Sequence, residues 1–249
     1  MIPRVKAALI HLCISAFVAA IILGLMLGLW YPAGYFKLMG GGGLLFLMTG
    51  IDICLGPLLT LAVFNPAKKS LKFDLAVIGI LQLCALLYGA NVMFKVRPVF
   101  NVLEEDRFKV TTAADFVDDK ELLKAKRPEW RKLSLTGPVI VAAVKPSDPK
   151  DLNDLVFAAS KGLDWNMFPK LFMDYAGQRE IALKNAKSLA ALKKINKSNV
   201  STVSTFVRNS NKLETDFVYL PIYSGMSAMA AILDSKTAEF IGIVDAVPQ

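Results

Sequence analysis

The 26 residues from Met39 to Phe64, MGGGGLLFLMTGIDICLGPLLTLAVF, are apolar except for one carboxylate, Asp52, near the middle. At about 1.5 Å per residue a helix of that length outreaches a hydrocarbon layer of about 30 Å, so the stretch reads as membrane-spanning. An ionisable side chain at mid-bilayer costs about 2.5–3.5 kcal/mol on insertion scales and faces other protein or water. The helix therefore has an inside face. Steps of three and four residues from Asp52 reach Thr49, Gly56 and Thr60, small or hydroxyl residues that let another helix approach and hydrogen-bond. Pro57 removes the donor that would serve the carbonyl of Ile53, and a bend is expected there. Two readings of Asp52 stay open: a polar or proton-coupled switch, or a protonated group bonded to Thr49 or to another span that locks a bundle.

Two further apolar runs flank this one. Residues 7–30 follow a basic start at Arg4 and Lys6 and are too long for the 7–15-residue core of a cleaved signal peptide. They read as an uncleaved first span with a Gly24/Gly28 pair suited to close helix contact. His11, the protein's single histidine, lies near the basic end of that run and reads as an interfacial hydrogen-bonding residue. Residues 75–94 form the third span, with Gln82, Ala85 and Gly89 as a face that suits the Asp52 side of the second. Trp30, Tyr31, Tyr35 and Phe36 between the first two spans suit a headgroup belt around a tight turn.

Charge sets the expected orientation. The tail and the second loop hold Arg4, Lys6, Lys68, Lys69 and Lys72, against Lys37 alone in the first loop, so the N-terminus is expected in the cytoplasm. Three crossings then place residues 96–249 on the far side, the periplasm if the source is a Gram-negative bacterium. The net charge of +8 divides as +5 over residues 1–95 and +3 over the remainder. Basicity thus marks membrane flanks and not a phosphate-binding stripe, which argues against nucleic acid as a partner.

The sequence from 96 onward alternates differently. Val99–Val110 suggests two strands and a turn, Gly137–Val144 a buried strand, and residues 112–132, 148–161 and 175–195 suggest helices. Asn196–Thr205 reads as a loop or frayed helix end. Phe217–Tyr223, Ser227–Leu233 and Phe240–Val244 read as an antiparallel meander. The expected fold is a membrane protein with three N-terminal transmembrane α-helices, spans 7–30, 39–64 and 75–94, followed by an α+β extracytoplasmic domain, 96–249, with an antiparallel sheet. Within that domain Trp165, Phe168, Phe172 and Tyr175 form an aromatic group that is either core or a partner patch.

No catalytic set assembles. Cys13, Cys54 and Cys84 all lie in apolar runs, and residues 96–249 contain neither cysteine nor histidine, which removes Ser-His-Asp and Cys-His systems and most metal sites. Gly40–Gly43 opens a span with no lysine after it, so it is no phosphate loop. No cofactor is implied.

Particular strings point to a family. Tyr31-Pro32, the run GIDICLGPLLTLAVF from Gly50 to Phe64, KSLKFDLAVI from Lys69 to Ile78, Gln82-Leu83, Arg97-Pro98, Asp106-Arg107-Phe108 and Ala113-Ala114-Asp115 resemble the TfpX/TfpZ-type type IV pilin accessory proteins. The resemblance is dense over residues 1–115 and sparse beyond, where the closing strands and Leu220-Pro221 are similar. It implies a non-enzymatic inner-membrane factor that helps a major type IV pilin assemble into or retract from pili. The face Thr49, Asp52, Gly56, Pro57 and Thr60 would then pack against the third span or the pilin helix, and the domain would meet the pilin head. Two competing expectations are a membrane-anchored periplasmic sensor with a ligand pocket around Trp165–Tyr175, and an accessory to pilin glycosylation.

Overall fold

The computed structural model describes the chain except Met1, Ala33, Val117, Asp118, Ser147, Lys161, Pro248 and Gln249. It also leaves undescribed the side chains of Ile2, Leu44, Leu47, Met48, Thr49, Ile51, Asp52, Asp119, Lys150, Asp151, Asp154 and Ala158. The chain divides into two compact units, one of Met1–Leu29 with Gly40–Lys95, the other of Trp30–Met39 with Val96–Gln249.

The first unit is helical. Helix α1 runs over Ile2–Leu25 and continues as a π-helical turn over Met26–Trp30. After the four-residue α2, Tyr35–Leu38, which belongs to the other unit, come α3 over Gly41–Val63 and α4 over Leu71–Lys95. Pro3–Trp30 and Leu71–Lys95 are long and apolar enough to cross a membrane. Helix α3 has 23 residues and contains Pro57. It packs against both α1 and α4. The face of α4 that is covered repeats at helical spacing through Ile78, Leu86, Gly89 and Met93. Ala85, expected on that face, is exposed.

The second unit is built on one eight-stranded sheet. Its strands are β1 (Pro98–Glu104), β2 (Arg107–Thr112), β3 (Val139–Ala143), β4 (Phe172–Asp174), β5 (Lys187–Ser188), β6 (Phe217–Tyr223), β7 (Ala228–Asp234) and β8 (Phe240–Val244). They lie in the order β4-β3-β1-β2-β6-β7-β8, with β5 added along β6. The sheet is mixed and not, as expected, antiparallel: β1 pairs β3 and β2 pairs β6 in parallel. The β1–β2 hairpin sits between strands that arrive later in the chain, and each parallel neighbour is reached by a long crossover. All seven residues of β1 are buried, as a central strand covered on both faces requires.

Helices α5 (Asp119–Leu123), α6 (Pro149–Ala159), α7 (Arg179–Asn185), α8 (Leu189–Ile195) and α9 (Val200–Asn209) surround the sheet. One core forms around Phe100, Phe172, Trp130 and Leu155, the other where Leu189, Leu192 and Val203 cover the meander β6–β8. The helix expected over 112–132 is broken into short turns, one opened by a Thr112/Asp115 capping box and another begun at Pro128. That expected over 175–195 is interrupted by β5, where Ser188 ends the strand and accepts from the Ala191 amide to start α8. Asn196–Thr205, read as a loop or frayed helix end, leads into α9, whose apolar side covers β8.

Trp30–Met39 is folded into this unit. The carbonyl of Leu38 accepts from the hydroxyls of Ser224 at 2.7 Å and Ser227 at 2.8 Å. Lys37 pairs with Asp245 at 2.5 Å, and Tyr35 stacks on Phe240 with ring centres 6.4 Å apart. Gly34 has φ 93° and lies against Ile243, where a Cβ would come within 3.1 Å of the backbone oxygen, so glycine serves both the left-handed turn and the close approach.

Candidate functional site

Inside the first unit three side chains from three helices meet. His11 Nδ1 lies 2.6 Å from Thr60 Oγ1, and its Nε2 lies 2.6 Å from Gln82 Oε1. The Gln82 oxygen can only accept, so Nε2 donates to it and, in the neutral ring, Nδ1 accepts from the Thr60 hydroxyl. One imidazole thereby joins α1, α3 and α4. Glycine at 56 makes the arrangement fit: a Cβ built there would fall 2.6 Å from Gln82 Cδ. Gly56 and Thr60 are both buried, one turn apart.

Of the expected packing face, Gly56 and Thr60 take part in this network and Pro57, partly buried, lies beside it. The side chains of Thr49 and Asp52 lie outside the described residues. His11 and Gln82 complete a polar centre that spacing within one helix does not reveal. The available signal was their rarity: each is a polar side chain within an apolar run.

His11 lies early in α1, Thr60 late in α3 and Gln82 at the middle of α4. Between α1 and α4 a groove of about 190 Å³ is lined by His11, Ser15, Ala19, Gly79, Gln82 and Leu83.

The aromatic group of the second unit separates in space. Phe172 is wholly buried, with ring centres 5.1 Å from Phe100 and 6.5 Å from Trp130. Trp165 and Phe168 are partly buried and pack against the same core. Tyr175 is also buried but belongs elsewhere: it contacts Phe108 and donates from its hydroxyl to the Ala238 carbonyl at 2.6 Å. Burial pushes its phenol up to about 12, against a smaller opposing effect of Arg179.

Near the β1–β2 turn a charged cleft is lined by Glu104, Glu105, Asp106, Arg107, Lys109 and Asp164, with Trp165 at its side. Lys109 pairs with Glu104 at 3.2 Å and with Asp164, and Glu104 also accepts from the Asn166 amide at 3.1 Å. Burial raises the Glu104 carboxyl, and Lys109 only partly offsets that. Burial lowers the Lys109 ammonium, but its bonds to Asp164 and Glu104 outweigh this and leave it raised. Each cation here has an internal partner, Arg107 holding Asp106 through two nitrogens. Such a set of paired charges stiffens the turn. Among the described residues no group of three His, Cys, Asp or Glu side chains is placed to hold a metal ion.

Comparison with known proteins bears on this arrangement. Residues 1–40 match the family model described as Fimbrial assembly protein FimB. The chain is 34% identical over 243 residues to a fimbrial assembly protein of serogroup I from Dichelobacter nodosus, covering 96% of this chain and 94% of that protein. It is 32% identical over the same length to the serogroup E1 protein of that organism. To the protein of serogroups C1 and C2 it is 40% identical over 117 residues, 46% of this chain and 89% of that one. No solved structure matches.

Proposed function

The chain belongs to the fimbrial assembly protein family, and from that premise we propose that it is a non-enzymatic inner-membrane accessory factor that assists a cognate major type IV pilin in pilus assembly or dynamics. The observation that carries this reading is likeness over both units at once, 96% of the chain, to proteins named for fimbrial assembly. The membrane helices and the sheet domain act together in this account.

Topology follows from chain order. Trp30–Met39 and Val96–Gln249 form one compact unit, so an even number of crossings separates them, and α3 with α4 supplies two. With five basic residues on the tail and the second loop, the N-terminus lies in the cytoplasm and the sheet domain in the periplasm. A pilin awaiting assembly could then be met both within the bilayer and outside it.

Deletion of the gene tests this reading, with complementation in strains that carry different pilin alleles. Loss of surface pili with the cognate allele, restored by the intact gene, is expected. Normal piliation in the deletion contradicts the proposal. Asp52→Leu, which removes the mid-span carboxylate, is expected to reduce piliation while the protein stays in the membrane at its ordinary level; unchanged pili would exclude a functional part for Asp52.

A further inference from the structure

Two residues of the sheet domain are tied by the chain itself to the ends of apolar helices. Tyr31 follows directly on the π-helical turn Met26–Trp30, and Arg97 comes two residues after Lys95, the last residue of α4. Consecutive Cα atoms are about 3.8 Å apart, so Tyr31 stays within about 4 Å of Trp30 and Arg97 within about 8 Å of Lys95. The covalent chain alone sets these distances, however the two units are arranged.

Inside the domain both residues converge on one loop. Tyr31 and Arg97 are buried and close enough to interact electrostatically. Arg97 donates from Nε to the Ser134 carbonyl at 3.0 Å. Three residues further on, Gly137 has φ 86° and lies against Pro32, where a Cβ would fall 2.6 Å from the proline Cγ. Residues 134–137 are thus pinned at both ends beside the two chain exits.

The loop is basic and then apolar. Arg131 and Lys132 are exposed, and the nearby carboxylate of Glu129 is paired with Arg127 at 3.6 Å. Leu135, between the two pinned residues, is 58% exposed. A single exposed leucine is ordinary on a protein surface. One held beside the ends of two apolar helices, three residues from Lys132, has the interfacial pattern in which an apolar side chain enters the acyl boundary and cations stay with the phosphates. Trp30 and Tyr31 suit the same level, where aromatic side chains collect.

We propose, on the reading of α1 and α4 as membrane spans, that residues 131–136 are a bilayer-contact loop. Leu135 enters the headgroup–acyl boundary of the bilayer that those helices cross, and Arg131 and Lys132 bind anionic phospholipid headgroups. The contact fixes which end of the sheet faces lipid.

Electron paramagnetic resonance on the full-length protein, in nanodiscs of phosphatidylglycerol and phosphatidylcholine, tests this with a genetically encoded nitroxide residue. Collisions with oxygen, enriched in lipid, and with a water-soluble nickel chelate give its depth. The nitroxide is placed in turn at Leu135, Leu213 and Phe17. Leu213 is 71% exposed and precedes β6, which runs parallel to β2 with Ile222 beside Phe108, so it lies past the β1–β2 turn at the other end of the sheet. Phe17, 67% exposed within α1, reports on the span itself. The label at 135 should read about 5 Å or more inside the boundary, with 213 in water and 17 in lipid. Lys132→Gln should lower the ratio of immersed to aqueous label at 135 about fivefold. An aqueous label at 135 with 17 in lipid overturns the proposal and leaves the spans in place, whereas aqueous labels at both positions overturn both. Shielding of 135 from oxygen and nickel alike marks a protein neighbour and overturns the lipid contact, as does a ratio that Lys132→Gln leaves unchanged.

Discussion

The two units are held together by opposite means. In the sheet domain Phe100, Phe172, Trp130 and their neighbours leave water on folding, and apolar burial at about 25 cal/mol per Å² dominates. In the membrane setting proposed for the helical unit, lipid is as apolar as leucine, so burial would give no comparable drive, and close packing at Gly56 with hydrogen bonds at His11 would take its place. The same substitution therefore has different consequences on either side of Val96. Specificity in the helical unit comes from a few polar atoms, while the domain spreads it over many apolar contacts.

Phe172→Ala should give the largest effect, about 3–5 kcal/mol, because it empties a fully buried aromatic site between Phe100 and Trp130. Thermal unfolding of the purified full-length protein, followed by tryptophan fluorescence, reads it. Gly56→Leu comes next at about 1–3 kcal/mol, since the new side chain displaces Gln82 and separates α3 from α4. Its measure is the midpoint of unfolding in increasing denaturing detergent. His11→Leu removes both bonds of the network and should cost a similar amount, about 0.6–1.7 kcal/mol for each bond. A His11→Leu loss as large as that of Phe172→Ala would break the comparison and make the polar centre the main support of its unit.

The smallest effect is one of pH. Asp234 receives the amides of Lys236 and Thr237 at 3.0 Å, and these bonds lower its carboxyl from 3.8 to about 2. A folded-state value below the unfolded one favours the fold once the group is ionised. That support is complete above pH 3.8 and is lost as pH falls through about 2. Asp234→Asn should then lower the melting temperature at neutral pH, with the gap closing towards pH 2. A gap that widened in acid would reverse the assignment.

Legibility in the sequence divided along the same line. The β6–β8 meander could be read because strand-forming residues alternate between clear turns such as Asp234–Thr237. That β1 lies beside β3 in parallel could not, since a buried strand's own pattern says nothing of which neighbour covers it. The interruption at Lys187–Ser188 was hidden by continuous helical periodicity on both sides, which a single capping serine overrides. Gly56, Thr60 and the Gln82 side of α4 stood out by spacing, whereas His11, read as an interfacial hydrogen-bonding residue, lies 49 residues from its partner Thr60 and is joined to it only by tertiary packing. Trp30–Met39 has the aromatic composition of a headgroup belt, and only its contacts with Ser224, Ser227 and Phe240 reveal its allegiance to the domain.

Photo-crosslinking in living cells tests the central claim most directly, with a photoreactive residue at Leu83, on the rim of the α1–α4 groove, and a second at Trp165 in the domain. The account predicts that the major pilin is captured from at least one position, identified by mass spectrometry and lost when the cognate allele is replaced. Recovery of only lipid, a second copy of this chain or a signalling protein, with expression at its ordinary level, would contradict it.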